Sequence, residues 1–236
     1  MLGSLVPGWW GKRGPTAWQS HPRPPPAAEH RPPHDKYPFC DTSLTIEARV
    51  ADLVGRIPDA KKAHLLTARG WPQGHPETLE EIGVPAHDWG LNCIHGVQSS
   101  CYHDPATGRD VCATSFPNPN ALGAAFNMTN VLVMGQYIGR ETRALRLAGA
   151  TESSTWSGRA LIGLDCWSPN ININRDPRWG RNQEVPGEDP FHTAGYGVAY
   201  TKGLQEGEDD RYLQAVVTLK HWDAYSLEDA AGFTRE

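Results

Sequence analysis

Apolar residues recur along the chain at spacings that predict helices. Residues 46–57 place five apolar side chains on one helical face (Ile46, Val50, Leu53, Val54 and Ile57). Ser43 or Thr45 can cap this helix, and Pro58 ends it. A longer helix is predicted to follow Asn127 and to stop near Gly149. Its apolar positions at helical spacing are Val131, Met134, Ile138 and Leu145.

Two segments further along the chain predict strands, with a helix between them. The first is WSPNINI, residues 167–173, and the second is AVVTLKHW, which ends with Lys220 and His221 followed by a tryptophan. Asp189 and Pro190 suit the N-cap and the first position of the helix between these strands. The apolar stripe predicted for that helix is Phe191, Ala194, Val198, Thr201 and Leu204.

Strand and helix signals therefore alternate, and no hairpin turn is evident between them, which favours a parallel sheet with crossover helices. The polar clusters follow strand ends, where barrel enzymes place their sites. No glycine-rich phosphate loop opens a helix, as a dinucleotide-binding sheet would require. We expect an α/β fold, a (β/α)8 TIM-type barrel. It would be incomplete here, because about 200 folded residues are fewer than the roughly 250 of a complete barrel.

Composition separates an N-terminal segment from the folded part. Eight of the 20 prolines occur within residues 1–34, which lack the apolar periodicity of a core. Residues 1–35 are therefore expected to be a Pro-rich, disordered leader, and the fold is expected over residues 36–236.

The charge balance and the apolar runs exclude several kinds of partner. The formal net charge is −5 and no basic run is present, so nucleic acid is not expected as a partner. No stretch approaches about 18 uninterrupted apolar residues, so no membrane span is expected. The first residues lack the basic flank and apolar stretch of a secretory signal.

The five cysteines form no C-x-x-C pair, and their odd number leaves one thiol free or paired outside the chain. Cys101 and Cys112 bracket a loop with turn residues. A disulfide between them is a candidate and would imply an oxidising compartment. Two reduced, small apolar residues are the alternative. The spacing of cysteines and histidines around His95 and His103 does not match compact zinc sites, so neither a metal nor another cofactor is expected.

Asn127 begins the sequon Asn-Met-Thr and also stands where the second helix needs an N-cap. It is a candidate for N-glycosylation and for capping. The two roles do not exclude each other, and capping is the favoured one.

The densest charged segment is RDPRWGRNQEVPGEDP, residues 175–190, directly after the first predicted strand. Arginine forks and carboxylates form charge-assisted hydrogen bonds with hydroxyl-rich ligands such as sugars. Trp167 and Trp179 would offer flat apolar faces to a pyranose ring. Arginines and carboxylates so close in sequence also pair with one another. Most of these charges are therefore expected to fix the loop, and one or two to reach a pocket.

Five motifs occur in order over residues 36–236. They are YPFCDTSLTIEARVADLVGRI, HDWGLNCIHGV, TSFPNPNALGAAFN followed by GRETRA, WSPNININRDPRWGRNQEVPGEDPF, and LKHWDAYSLE. In sequence and spacing they resemble the motifs of glycoside hydrolase family 3, nearest its β-xylosidase-like branch. The resemblance implies a secreted, retaining, exo-acting β-glycosidase of the β-xylosidase or β-glucosidase type. Such an enzyme would take the terminal non-reducing sugar of an oligosaccharide or β-glycoside into a pocket of the barrel.

The resemblance also assigns residues to sugar binding. Arg181, Lys220 and His221 would hydrogen-bond hydroxyls of the bound sugar. Asn92 stands where the family has a pocket carboxylate, so a charge-assisted bond is replaced by a neutral one. The family's nucleophile, an Asp in a Ser-Asp motif, and its acid/base belong to later segments and are expected beyond Glu236. The 236-residue chain alone is therefore expected to be inactive, and a non-catalytic sugar-binding remnant of the same fold is the alternative.

Overall fold

The computed structural model describes residues 34–66, 79–84, 91–150, 162–228 and 232, so residues 1–33 of the predicted leader lie outside it. The described α-helices are α1 (Ile46–Arg56), α2 (Asp59–Leu65), α3 (Pro119–Ala124), α4 (Met128–Ala148) and α5 (Pro190–Gln205). The described strands are β1 (Tyr102–Asp104), β2 (Arg109–Val111), β3 (Asp165–Cys166) and β4 (Val216–Val217). None of the described helices has the length and hydropathy of a membrane span.

Three parallel segments form the centre of the fold. β3 pairs with β4 in parallel register, with Asp165 opposite Val216. Leu91 makes a parallel bridge to Cys166 on the other side of β3. α4 lies in sequence between Leu91 and β3, and α5 lies between β3 and β4. The parallel sheet with crossover helices predicted from the sequence is confirmed for this part of the chain.

The strand predicted over residues 167–173 is wrong in its position. The strand, β3, consists only of Asp165 and Cys166, which directly precede the predicted segment. Pro169 has no N–H for a ladder, and the N–H of Ser168 turns back to the Cys166 carbonyl at 2.8 Å. Contact with the neighbouring segment resumes at Asn170, which bridges to Lys220.

β1 and β2 form an antiparallel hairpin, contrary to the prediction that no hairpin is present. The Asp104 carboxylate closes its turn by accepting from Ala106 N at 2.9 Å and Thr107 Oγ1 at 2.7 Å. Gly108 has φ +64°, a conformation that glycine adopts without a steric cost. The two strands are three residues long and largely polar, so they lack the alternation that signals a hairpin in the sequence.

The predicted boundaries of α1 are confirmed. Thr45 Oγ1 accepts from Ala48 N at 3.2 Å as the N-cap, and the helix ends before Pro58. Its apolar stripe is largely uncovered, since Ile46, Val50 and Val54 are 45%, 52% and 46% exposed. Polar contacts attach the helix, including the bond from Arg49 Nη1 to the Tyr212 hydroxyl at 2.9 Å.

α4 buries the four apolar residues predicted for it, but α5 presents a different face from the predicted one. Phe191 is 88% exposed and Val198 57% exposed. The buried positions of α5 are Thr193, Tyr196, Gly197, Ala199, Tyr200, Gly203 and Leu204. Of the predicted stripe, Leu204 is buried as expected. Phe191, Ala194 and Val198 are exposed, because the contact is made mostly by small residues and tyrosines.

Glycines allow the backbones of α4 and α5 to approach each other. A Cβ at Gly139 would lie 2.2 Å from the carbonyl oxygen of Leu204. A Cβ at Gly203 would lie 2.2 Å from the carbonyl oxygen of Leu132. These separations are below any tolerated carbon–oxygen contact, so the helix pair requires glycine at both positions.

A disulfide between Cys93 and Cys166 lies in the core and joins the first parallel segment to the second. The Tyr200 hydroxyl donates to the Cys93 carbonyl and lies 3.2 Å from Ser168 Oγ. Burial raises the pKa of the Tyr200 phenol. This tyrosine therefore remains a neutral donor that connects α5 to both parallel segments.

Candidate functional site

Polar side chains collect where the three parallel segments end. Asn92 follows Leu91, the long loop from Asn170 to Val185 follows β3, and Lys220 and His221 follow β4. The C-terminal ends of parallel strands meet at one edge of a sheet. The four sugar-site candidates of the sequence, Asn92, Arg181, Lys220 and His221, therefore share this edge.

Arg181 contacts His221 directly, with Nη1 2.9 Å from Nε2 of the imidazole. A guanidinium can only donate, so Nε2 accepts and the imidazole proton resides on Nδ1. Nδ1 lies 3.2 Å from Asn172 Oδ1, which is a suitable acceptor. The contacts on both ring nitrogens assign His221 as a neutral imidazole with its proton on Nδ1.

Asn172 holds the backbone of His221 as well as its ring. Its Oδ1 accepts from His221 N at 2.7 Å, and its Nδ2 donates to the His221 carbonyl at 3.3 Å. Asn172 was not among the site residues predicted from the sequence. The only signal in the sequence was an asparagine between two isoleucines, which becomes informative once the side chain is known to be buried.

Glu184 and Tyr225 complete the surroundings of Arg181. Glu184 accepts from Arg181 Nε at 3.0 Å and from Nη2 at 2.5 Å, a bidentate ion pair. The guanidinium carbon lies 5.7 Å from the centroid of the Tyr225 ring, and the His221 ring meets the same tyrosine edge-on at 4.9 Å. Arg181 and His221 are thus fixed by partners on several sides.

Lys220 reaches back to the first parallel segment. Its Nζ lies 3.2 Å from Asn92 Oδ1. Burial, and less strongly the charge of Arg181, lowers the pKa of Lys220 to about 8, while the charge of Glu184 opposes the change. Lys220 thus contacts the first parallel segment, and the charges of Arg181 and Glu184 act on its ammonium.

The remaining charges of residues 175–190 mostly hold the loop, as predicted from the sequence. Arg178 forms an ion pair with Asp176 at 2.6 Å, and its hydrogen bonds lower the pKa of that carboxyl to about 2. Arg175 Nε donates to Ser226 Oγ at 2.7 Å, and Asp189 caps α5 through Phe191 N at 3.0 Å.

Of the two tryptophans predicted to face a sugar ring, Trp179 does not have that role. Trp179 is 2% exposed and meets Tyr225 edge-on at 5.3 Å, so the prediction that it offers a face to a sugar ring is wrong. Trp167 is partly buried and donates from Nε1 to Asp165 Oδ2 at 3.0 Å. The Trp179 indole therefore packs within the loop that carries the site, and the role predicted for Trp167 stays a prediction.

Two cavities adjoin the cluster. One of about 540 Å³ is lined by Asn92 and Glu184 together with hydroxyl and amide side chains, including Gln98, Thr114 and Ser115. The other, of about 690 Å³, is lined by residues that include His221, Arg175 and Tyr225. Both volumes lie in the range of about 300–1,000 Å³ usual for small-molecule sites.

The other candidates from the sequence belong to different parts of the fold. Cys101 and Cys112 form a disulfide that closes the β1–β2 hairpin. Asn127 caps α4, because its Oδ1 accepts from Asn130 N at 3.1 Å. Four of the five cysteines are paired in disulfides, so those thiolates are not available to a zinc ion. The described residues contain no group of three or more His, Cys, Asp or Glu arranged to hold a metal.

The chain is similar in sequence to known glycosyl hydrolases. The family model of the glycosyl hydrolase family 3 N terminal domain matches residues 100–232. Beta-D-xylosidase 3 from Arabidopsis thaliana is 38% identical over 193 residues, which cover 81% of this chain and 23% of that protein. A probable exo-1,4-beta-xylosidase from Aspergillus terreus is 38% identical over 204 residues, covering 86% of this chain and 24% of that protein. The chain thus spans about a quarter of the length of these curated relatives.

A solved structure supports the same relationship. The GH3 exo-beta-xylosidase XlnD, in complex with a xylobiose aziridine activity-based probe, aligns with a TM-score of 0.66 and 32% identity. The alignment covers 85% of this chain and 24% of that one. A beta-glucosidase from Kluyveromyces marxianus in complex with glucose aligns with a TM-score of 0.55 and 24% identity, which indicates a shared fold.

Proposed function

The chain belongs to glycosyl hydrolase family 3, and we propose that it forms the sugar-binding part of a retaining, exo-acting β-glycosidase. The proposed substrate is the terminal non-reducing sugar of an oligosaccharide or β-glycoside, of the β-xylosidase or β-glucosidase type. Relatives named as β-xylosidases at 36–38% identity support this substrate class. The proposal includes closure of a (β/α)8 barrel, to which residues 36–236 contribute the N-terminal part.

The observation that carries the proposal is the pair of contacts at the sheet edge, Arg181 to His221 at 2.9 Å and Lys220 to Asn92 at 3.2 Å. A sugar offers hydroxyls that both donate and accept. Arginine and lysine are donors only, and the asparagine amide provides both kinds of group. Such a set, in which Glu184 holds Arg181 and Asn172 holds His221, can orient a monosaccharide.

For the 236-residue chain by itself we propose sugar binding without hydrolysis. Retaining hydrolysis needs two carboxyl groups about 5–5.5 Å apart on either side of the glycosidic bond. Among the described residues that line the cavity beside Asn92, Glu184 is the one carboxylate, and both of its oxygens already bind Arg181. The nucleophile and the acid/base are proposed to come from other parts of the protein.

We also place the protein outside the cytoplasm. Two disulfides within the described residues require an oxidising compartment to persist. One of them is buried in the core, where reduction would leave two thiols in the place of a bond between neighbouring parallel segments. Secretion accounts for this arrangement.

The test combines binding and turnover on the pure 236-residue chain. Titration with methyl β-D-xyloside is expected to show saturable binding, while 4-nitrophenyl β-D-xyloside is expected to release no nitrophenol. Nitrophenol release by the correctly sized chain would contradict the proposed inactivity and leave the glycosidase assignment intact. Absence of binding to xylosides and glucosides alike would contradict the sugar site itself.

A further inference from the structure

One wall of the cavity of about 540 Å³ is held by a carboxylate of α4. Thr114 lines this cavity and is exposed. Glu141, on α4, accepts from Thr114 N at 2.9 Å through Oε2 and from Thr114 Oγ1 at 2.5 Å through Oε1. The two oxygens of one carboxylate thus fix both the backbone and the side chain of a single residue of the cavity wall.

The segment that contains Thr114 is also attached to the end of the first parallel segment. Phe116 N donates to the His95 carbonyl at 2.8 Å. Gly96 has φ +145°, and a Cβ at this position would overlap the Thr114 carbonyl oxygen, so the two backbones meet without an intervening side chain. Asn92 lies shortly before this contact in sequence and lines the same cavity as Thr114. The threonine therefore belongs to the surroundings of the candidate sugar site.

We propose that Thr114 is a further sugar-binding residue, which accepts a hydrogen bond from a hydroxyl of the bound sugar, and that Glu141 is the positioning residue that orients it. The inference rests on the proposed sugar-binding function and adds a specificity-determining residue to that site. A threonine hydroxyl has one proton and two lone pairs. The proton is directed at Glu141 Oε1, so Oγ1 acts towards the cavity only as an acceptor.

An acceptor at this wall complements the donors at the sheet edge. Arg181 and Lys220 can only donate, and a sugar hydroxyl that accepts from either of them still has a proton to donate. Thr114 Oγ1 provides an acceptor for such a proton. Because this hydroxyl itself donates to a carboxylate, the chain of hydrogen bonds polarises it and strengthens it as an acceptor.

The two bonds to Glu141 separate a structural role from a positioning role. The bond from Thr114 N holds the backbone, whereas the bond from Oγ1 orients the side chain. Thr114→Val keeps the first bond and the branched shape and removes the hydroxyl. It is expected to weaken binding of methyl β-D-xyloside to the full chain by about three- to tenfold. Thr114→Ser retains the hydroxyl and should bind within about twofold of the wild-type chain.

Thr107→Val is the matched control. It removes a hydroxyl that also donates to a carboxylate, Asp104 Oδ2 at 2.7 Å, but in the turn of the hairpin and outside the described lining of the cavity. It should change the affinity less than about twofold. Thermal denaturation checks that each variant is folded before its titration.

Glu141→Gln tests the positioning role without altering Thr114. The single amide oxygen can accept from Thr114 N, and the amide nitrogen then donates to Oγ1 and releases the hydroxyl proton towards the cavity. Binding of methyl β-D-xyloside should weaken by about as much as in Thr114→Val. The double variant should bind no more weakly than either single variant, because both changes remove the same acceptor. Additive losses would contradict an action of Glu141 through Thr114.

The ligand provides a measurement that a merely structural role would not affect. The probes are derivatives of methyl β-D-xyloside in which the ring hydroxyls are replaced one at a time by fluorine, which cannot donate. One derivative is expected to bind the wild-type chain more weakly and to lose nothing further on Thr114→Val. General damage to the cavity wall would instead weaken the binding of all derivatives alike.

The outcomes distinguish this inference from the function on which it rests. Unchanged binding by Thr114→Val, or a loss that is coupled to none of the ring hydroxyls, would overturn the inference and leave the sugar site standing. Failure of methyl β-D-xyloside and methyl β-D-glucoside to bind the wild-type chain would overturn the proposed function itself.

Discussion

Lys220 Nζ and Asn92 Oδ1 lie 3.2 Å apart although 128 residues separate them in sequence. The contact links the end of the third parallel segment to the end of the first, across the segment that contains Cys166. It depends on the correct order of all three segments, and the position of the Lys220 ammonium is therefore a sensitive indicator of whether this edge of the sheet has formed.

Replacing Arg181 with alanine is expected to weaken sugar binding by at least tenfold. The substitution removes the donor to His221 and leaves the Glu184 carboxylate without its bidentate partner, and hydrogen bonds to charged groups contribute about 1.5–3 kcal/mol each. Titration with methyl β-D-xyloside measures the loss. Arg178→Ala serves as the matched control, because it removes an ion pair within the same loop and should change affinity less than about twofold. Equal losses in both variants would contradict a direct role for Arg181.

Because of Lys220, the free energy of unfolding is expected to vary with pH in the alkaline range. Its pKa falls from 10.5 to about 8 on folding, so between these values the unfolded chain binds a proton that the folded chain does not. The free energy of unfolding therefore rises by about 1–2 kcal/mol as the pH increases through this window. Below this window Lys220 is charged in the folded protein, so the cost of burying that charge lowers the free energy of unfolding in full.

Urea denaturation at several pH values measures this rise, and Lys220→Met should show a flatter dependence. The groups that act on the amine are Arg181 and Glu184, with the neutral Asn92 as its hydrogen-bond partner. A wild-type slope identical to that of the methionine variant would contradict the assignment.

Gly203→Ala is expected to lower the free energy of unfolding by about 1–3 kcal/mol, or to prevent folding, because its methyl group would meet the Leu132 carbonyl. Gly195→Ala in the same helix is the control. A Cβ there lies 3.8 Å from the Met128 side chain, an ordinary contact, so the gain in helix propensity should raise stability by up to about 1 kcal/mol. Thermal denaturation of both variants distinguishes the packing effect from the propensity effect.

The two disulfides are expected to differ in their reactivity with reductant. Cys101 and Cys112 lie on the exposed hairpin, whereas Cys93 and Cys166 are fully buried. Brief treatment with a mild thiol, followed by alkylation and mass spectrometry, should label the hairpin pair first. Labelling of Cys93 and Cys166 at the same rate in the native protein would contradict the described core. Denatured protein, in which all four react, is the control.

Asn127 permits a test that separates capping from glycosylation. Asn127→Ala should cost about 1 kcal/mol of stability, since it removes the acceptor for Asn130 N. Asn127→Ser keeps a good N-cap but destroys the sequon, so it should retain stability while abolishing any glycan in a eukaryotic host. Mass spectrometry and thermal denaturation give the two readouts. If the serine and alanine variants are equally destabilised, capping is not the role of this side chain.

Helix boundaries were predictable because their determinants are local. Thr45, Asn127 and Asp189 each accept from a backbone N–H two or three residues later, and such contacts depend only on neighbouring residues. The buried face of α5 was not predictable in the same way. That face is determined by the close approach of the α4 and α5 backbones at Gly135, Gly139 and Gly203. A search for regularly spaced apolar side chains gives no weight to glycine.

The candidate site was identified by motif resemblance rather than by periodicity. Asn92, Arg181, Lys220 and His221 were singled out as separate residues, and their contacts depend on the order of the parallel segments. Asn172 was missed because its partner, His221, lies 49 residues away. The Cys93–Cys166 disulfide was missed for the same reason, with a separation of 73 residues.

The uncovered stripe of Ile46, Val50 and Val54 on α1 has a consequence for the colloidal behaviour of the chain. Three neighbouring aliphatic side chains that are about half exposed make encounters between molecules attractive at short range, while a net charge of −5 keeps the molecules apart at low salt. Added salt weakens that repulsion and leaves the apolar attraction in place. The second virial coefficient should therefore change from positive to negative as the ionic strength increases, and Val50→Lys should delay the change.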